Sequence, residues 1–198
     1  MKVYETEIVG LKLIVPDVFA DARGYFTETF NARRYLEAGI AANFVQDNES
    51  FSQKGVVRGL HWQAAPHTQA KLVRVARGAV WDVAVDIRKG SPTFGRSVAV
   101  TLFAPGSEYA RQHLECPPAC QFFIPRGFAH GFVVLENETV FSYKCDSLYC
   151  RASERGLAFD DPALGIQWPK MDVPIVLSEK DRQNPRLDAI LPWEEMRT

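Results

Sequence analysis

Residues 56–75 read VVRGLHWQAAPHTQAKLVRV. Val56-Val57 and Leu72-Val73 flank this stretch and mark both of its ends as strands. With a side-chain period of two, Val57, Gly59 and His61 share one face of the first strand, and Arg58, Leu60 and Trp62 share the other, unless Gly59 kinks the strand. Lys71 and Val73 share a face of the second strand. An imidazole beside an ammonium on a sheet is a base next to a cation. Such a pair can take a proton from the carbon beside a carbonyl and hold the resulting enolate. The same residue types also suit a solvated surface or a satisfied core, so the rest of the chain has to decide.

Toward the N-terminus, residues 44–52 (FVQDNESFS) form an extended polar segment. Gln46, Asp47 and Asn48 there fit either a turn or a row of ligand hydrogen-bonders. Asn31 is a good N-cap for a short helix over residues 32–38, closed by Gly39. Residues 21–24 (DARG) are turn chemistry, and residues 25–30 alternate aromatic with polar, as a half-buried strand does. Arg23 stands at the mouth of that strand, and Glu28 lies on it. Residues 3–8 and 11–15 read as two short strands around Gly10.

Toward the C-terminus, residues 79–87 (AVWDVAVDI) and 97–103 read as strands. Residues 104–119 break the rhythm, with Pro and Gly at their bounds and a helical turn expected at residues 108–114. They read as a surface insertion or lid. Pro125, Gly127 and His130 form P-x-G-x-x-H ahead of an apolar strand. Residues 138–144 (ETVFSYK) are the next strand and carry Tyr143. Residues 151–162 are loop-like, with Glu154, Asp160 and Asp161; residues 166–169 read as a short closing strand, and Ser178 as the cap of a small helix. Many short strands at spacings of roughly 8–12 residues predict one antiparallel sandwich or barrel, a single domain over residues 1–198.

Net charge is −1 and hydrophobic content is 46%. That is ample for a packed core and offers no electrostatic case for nucleic acid or a membrane surface. The first residues carry no apolar signal core, and no apolar run approaches a membrane span, so a cytoplasmic protein is expected. Cys116, Cys120, Cys145 and Cys150 match neither zinc-knuckle spacing nor a secreted disulfide scaffold, so free thiols are expected. Cupin-type jelly rolls often bind a metal through H-x-H, a Glu and a later His. Here His61-Trp62-Gln63 stands where H-x-H would, and His130 follows. The ligand pair is broken, so the expected fold is a double-stranded β-helix (cupin-like jelly roll) with a few short helices and no metal or other cofactor.

The motifs DARGYF, FVQDN, VVRGLHWQ, QAKLVRV, DVAVDIRKGSPTFG, IPRGFAHGF and DDPALGIQWP, in this order from about residue 10 to residue 180, resemble the dTDP-4-dehydrorhamnose 3,5-epimerase family. The resemblance implies a dTDP-4-dehydro-6-deoxy-D-glucose substrate, epimerised at carbons 3 and 5 beside its ketone. It implies His61 as general base, Asp161 as the carboxylate orienting that imidazole, Lys71 at the enolate oxygen and Tyr143 as the acid on the opposite ring face. Arg23 and Arg58 fall near the diphosphate. Glu28, Gln46, Asp47, Asn48, His130, Glu154 and Lys180 fall on binding positions, some of them serving a neighbouring subunit of a homodimer. A single-site 3- or 5-epimerase, a metal cupin and a non-catalytic sugar-nucleotide-binding module are the competing readings.

Overall fold

The computed structural model of the chain describes residues 1–193; residues 194–198 of the expected single domain lie outside them. The chain opens with strands β1 (Lys2–Glu5) and β2 (Lys12–Val15). A hairpin follows, β3 (Val18–Asp21) and β4 (Gly24–Thr27), then helix α1 (Ala32–Glu37). Asn31 caps α1 as expected, its side-chain oxygen accepting from Arg34 N at 3.2 Å. The polar segment before the central stretch is a strand, β5 (Gln46–Ser52), and not a turn. Then come β6 (Val57–Gln63), β7 (Lys71–Arg77), β8 (Ala79–Asp86) and β9 (Ser97–Phe103). Helix α2 (Glu108–Gln112) precedes β10 (Gln121–Ile124), β11 (Phe128–Val134) and β12 (Thr139–Cys145). A short β13 (Glu154–Gly156) and helix α3 (Glu179–Arg182) complete the set.

Two antiparallel sheets face each other. One runs β1-β2-β10-β7-β12-β5 and the other β13-β6-β11-β8-β9. Strands adjacent in space are mostly not adjacent in sequence, which is the winding of a jelly roll. Val73, Val75, Phe122 and Phe141 from the first sheet pack with Val80, Ala84, Leu102 and Phe132 from the second. All of β11 is buried, so this strand has no polar–apolar alternation to read. The outer face of the second sheet is covered by the C-terminal segment, where Trp168 packs on Trp81 at 5.1 Å between ring centroids. Helix α1 helps cover the outer face of the first sheet through Tyr35.

One irregularity positions the site. His61 pairs with His130 and Arg58 with Phe132, so β6 carries an extra residue between those pairs, a β-bulge at Gly59-Leu60. The bulge breaks the period of two and brings Arg58 and His61 onto one cavity wall. Glycine is required there. Gly59 has φ +136°, and a Cβ on it would stand 2.5 Å from Gly131 Cα.

Two expectations change. Residues 166–169 form no strand, because Gly165 in the left-handed region and Pro169 interrupt extended pairing; Trp168 instead donates through Nε1 to Phe159 O at 2.8 Å. Strand β4 is not half-buried in the single chain. It belongs to neither large sheet, and Phe26 is 69% exposed. Residues 104–119 hold α2 against the end of β9, with Tyr109 stacked on His113 and tilted against Phe103. Backbone N–H groups of Glu108 and Tyr109 donate to the Glu136 carboxylate, so the helix start is tied to the body. All four cysteines are free.

Candidate active site

A cavity of about 590 Å³ opens between the sheets. Its walls bring together His61 and Arg58 from β6, Lys71 from β7, His130 from β11, Tyr143 from β12, Asn48 from β5, and Lys180 and Asp181 from α3. No residue of the 104–119 segment lines it. The two walls differ in chemistry. His61 and His130 come from the five-stranded sheet, Lys71 and Tyr143 from the six-stranded one.

His61 Nε2 lies against Asp181 Oδ1. This corrects the expected pairing with Asp161. Asp161 is the N-cap of a 3-10 turn at Pro162–Leu164, its carboxylate accepting from Ala163 N at 3.0 Å and Leu187 N at 2.7 Å. Its carboxylate is turned into its own loop and the C-terminal segment, and Asp161 does not line the cavity that holds His61. Asp181 reaches His61 because Ser178 caps α3, accepting from Asp181 N at 3.1 Å and turning the helix start toward β6. The S-x-x-D spacing of Ser178 and Asp181 marks a helix start in the sequence but does not by itself rank Asp181 above Asp161. Burial alone would raise the Asp181 carboxyl, but hydrogen bonds from His61, Ser178 and the Gly59 N–H outweigh it and hold the pKa below the ordinary value. An ionised carboxylate fixes the proton on the imidazole nitrogen facing it, which leaves the other nitrogen free to act as a base.

Burial pushes the Lys71 ammonium down from its ordinary pKa. Its Nζ lies 6.0 Å from the centre of the Tyr143 ring. Burial raises the Tyr143 phenol, with Cys145 adding to the shift, so it stays protonated at neutral pH. His130 faces the fully buried Asp82, both carboxylate oxygens lying 2.9–3.0 Å from Nε2. Burial lowers the His130 pKa while Asp82 opposes that shift. The sequence reading placed Asp82 on a strand but gave it no role.

The remaining expected residues divide in two. Arg58 donates to Ser52 Oγ at 3.1–3.2 Å at the edge of the cavity. Asn48 donates to Cys145 Sγ at 3.7 Å and accepts from Gln46 Nε2 at 2.9 Å. Lys180 pairs with Glu154 at 2.5 Å, and Tyr149 donates to the same carboxylate at 2.7 Å. By contrast, Arg23 projects from the β3–β4 turn and pairs with Asp21, Glu28 pairs with Arg34, and Asp47 pairs with Lys144 outside the cavity.

The family model described as dTDP-4-dehydrorhamnose 3,5-epimerase matches residues 5–189. A relative of that name from Methanothermobacter thermautotrophicus is 47% identical over 179 residues, 90% of each chain. One from Salmonella typhimurium is 45% identical over 195 residues, 98% of this chain and 100% of its own. Among solved structures, the Legionella pneumophila dTDP-6-deoxy-D-glucose-3,5-epimerase in complex with dTDP-4-keto-L-rhamnose matches with TM-score 0.87 at 46% identity, covering 98% of this chain and 99% of that one. A 3'-monoepimerase from Streptomyces bikiniensis, in complex with dTDP-quinovose, matches with TM-score 0.81 at 32% identity, covering 92% and 86%. Identity on this scale along nearly the whole chain, carried on the same cupin-like jelly roll, shows that the chain belongs to the dTDP-4-dehydrorhamnose 3,5-epimerase family of isomerases.

Proposed function

We propose that this enzyme converts dTDP-4-dehydro-6-deoxy-D-glucose to dTDP-4-dehydro-L-rhamnose by proton transfer at carbons 3 and 5. The observation that carries the mechanism is the placement of the His61–Asp181 pair and the Tyr143 phenol on opposite walls of one cavity, with Lys71 beside the phenol. Inversion at a carbon requires a proton to leave one face and another to arrive at the opposite face. Carbons 3 and 5 flank the ketone, so their protons are acidic and both deprotonations place negative charge on the same oxygen. His61 removes the proton, Lys71 stabilises the enolate oxygen, and Tyr143 delivers a proton from the far side. No redox step is involved, and no cofactor enters the scheme.

Arg58 and Lys180 supply positive charge for the diphosphate, with Asn48 and His130 as further polar contacts. Arg23 and Glu28, remote from this cavity, would serve the nucleotide of a second subunit, and Gln46, Asp47 and Glu154 would add polar contacts beside Asn48 and Lys180. The β3–β4 hairpin supports that homodimer. It exposes Phe19 and Phe26 at 63% and 69%, and a lone two-stranded hairpin is marginal in water. A cytoplasmic location accompanies a sugar-nucleotide substrate.

Proton NMR of the substrate in deuterated water tests the reading. Loss of the signals at both carbons, with dTDP-L-rhamnose trapped by a reductase, is the expected result. Loss of one signal alone would favour a single-site epimerase, the reading that the match to the 3'-monoepimerase keeps open. No exchange at either carbon would exclude both for this substrate.

Two substitutions separate the roles. Tyr143→Phe should lower product formation by roughly 10²- to 10³-fold while His61-driven exchange of substrate protons persists, because only the returning acid is lost. Equal loss of exchange and product would remove Tyr143 as the acid. Asp181→Asn should lower kcat by roughly 10²-fold, since an amide no longer fixes the imidazole tautomer. Asp161→Asn should leave kcat within about threefold while removing one of its two backbone hydrogen bonds, worth roughly 1 kcal/mol, because the amide keeps one acceptor oxygen. The opposite ranking of the two kcat values would restore Asp161 as the orienting carboxylate.

A further inference from the structure

Strand β5 presents a row of polar side chains toward the interior at alternate positions, Asn48, Ser50 and Ser52, while Asp47, Glu49 and Phe51 are exposed. Two of the three inward groups already have partners. Asn48 is bonded to Cys145 and Gln46, and Ser52 accepts from Arg58. Ser50 differs. Its Oγ is buried and has no hydrogen-bond partner among the described residues, yet the residue lines the same cavity as His61, Lys71 and Tyr143. In the β5–β12 register, Asn48 stands across from Tyr143 and Ser50 across from Phe141. Ser50 therefore stands two residues along β5 from the Tyr143 pair, between it and the Arg58–Ser52 contact.

We infer that the Ser50 hydroxyl is a substrate-contacting group that hydrogen-bonds an oxygen of the bound hexose. The inference rests on the epimerase reading above and adds a residue to it. A buried hydroxyl without a partner destabilises the free protein, and alanine would fit this strand position without that penalty. The place of Ser50 between Tyr143, which addresses the ring carbons, and Arg58, which faces the diphosphate, puts the bonded oxygen on the hexose rather than on the nucleoside.

This arrangement predicts opposite signs for activity and stability in one variant. Ser50→Ala should lower kcat/KM for the sugar nucleotide by on the order of tenfold or more. The dissociation constant for dTDP should stay within about twofold, because dTDP carries no hexose, and Tm should stay level or rise. Steady-state kinetics, calorimetric titration with dTDP and thermal melting of the same preparation read all three quantities. A kcat/KM within twofold of the parent overturns the assignment. So does a matching loss of dTDP affinity, which would move the contact to the nucleotide, or a Tm several degrees lower, which would make the hydroxyl structural. A parent enzyme inert toward the 4-keto sugar is a separate result that sinks the epimerase reading and takes this assignment with it.

Discussion

His61→Ala is expected to lower turnover by roughly 10³- to 10⁴-fold, equivalent to about 4–5.5 kcal/mol of transition-state stabilisation. In the same variant, proton exchange at carbons 3 and 5 should vanish, because the base that Asp181 orients is gone. His130 is the nearest alternative, but both oxygens of the buried Asp82 approach its Nε2 and burial disfavours its charged form. Affinity for dTDP should remain within about tenfold, roughly 1.4 kcal/mol, since the proposed scheme assigns the diphosphate to Arg58 and Lys180 and not to the imidazole. Exchange followed by NMR and dTDP binding followed by calorimetry make the separation. Turnover like that of the parent would remove His61 from the mechanism. A loss of dTDP affinity as large as the loss of turnover would show instead that the site had collapsed. Asp181 should register the change independently. Its side chain is only 5% exposed, and without His61 one cause of its lowered pKa is gone, so that pKa should rise.

Asp86→Ala is expected to lower stability by roughly 3–5 kcal/mol, the range for removing one partner of a buried charged pair. Asp86 is fully buried at the end of β8. Its carboxylate accepts from Arg88 N at 2.9 Å, Arg88 Nε at 2.9 Å and Nη2 at 2.7 Å, and from the hydroxyls of Ser91 and Thr93 at 2.6 Å each. These contacts gather the loop between β8 and β9, and through Arg88, which lies over the Phe128 ring at 4.6 Å, they hold the start of β11. Burial alone would raise the Asp86 pKa, but the hydrogen bonds from Arg88, Ser91 and Thr93 bring it down to about 2 from 3.8. A carboxylate depressed on folding contributes stability above its unfolded pKa and loses it as pH falls through the folded value. The parent should therefore lose about 2 kcal/mol between roughly pH 4 and pH 2 from this group. Asp86→Ala should lack that part of the acid dependence. Thermal or urea melting across the range checks both statements. A variant within about 1 kcal/mol of the parent at pH 7 would show that the loop is held by other contacts.

Much of this molecule was decided by short-range chemistry. Alternation in residues 79–87 and 97–103, the turn chemistry of residues 21–24 and the Asn31 cap act over a few residues, and each forms where those residues predict it. The gathering of His61, Lys71 and Tyr143 was legible through motif order, since a jelly roll brings β6, β7 and β12 to one cavity. What remained hidden depended on register and long-range contact. A two-residue period places Arg58 and His61 on opposite faces, and only the pairing of β6 with the bulk-free Gly131 on β11 shows the bulge that reunites them. Asp161 and Asp181 are both acidic residues at the start of a helical turn, so local pattern cannot rank them as partners for His61. The choice is made by where the chain returns after more than a hundred residues, with Ser178 turning Asp181 into the cavity and Leu187 N occupying Asp161. The sequence by itself determined the elements and the types of chemical group, because propensity, capping and turn preference are local free energies. Only the tertiary structure decided which carboxylate meets the imidazole and which hydroxyl on β5 stands unpaired, because those outcomes depend on distances that no neighbouring residue sets.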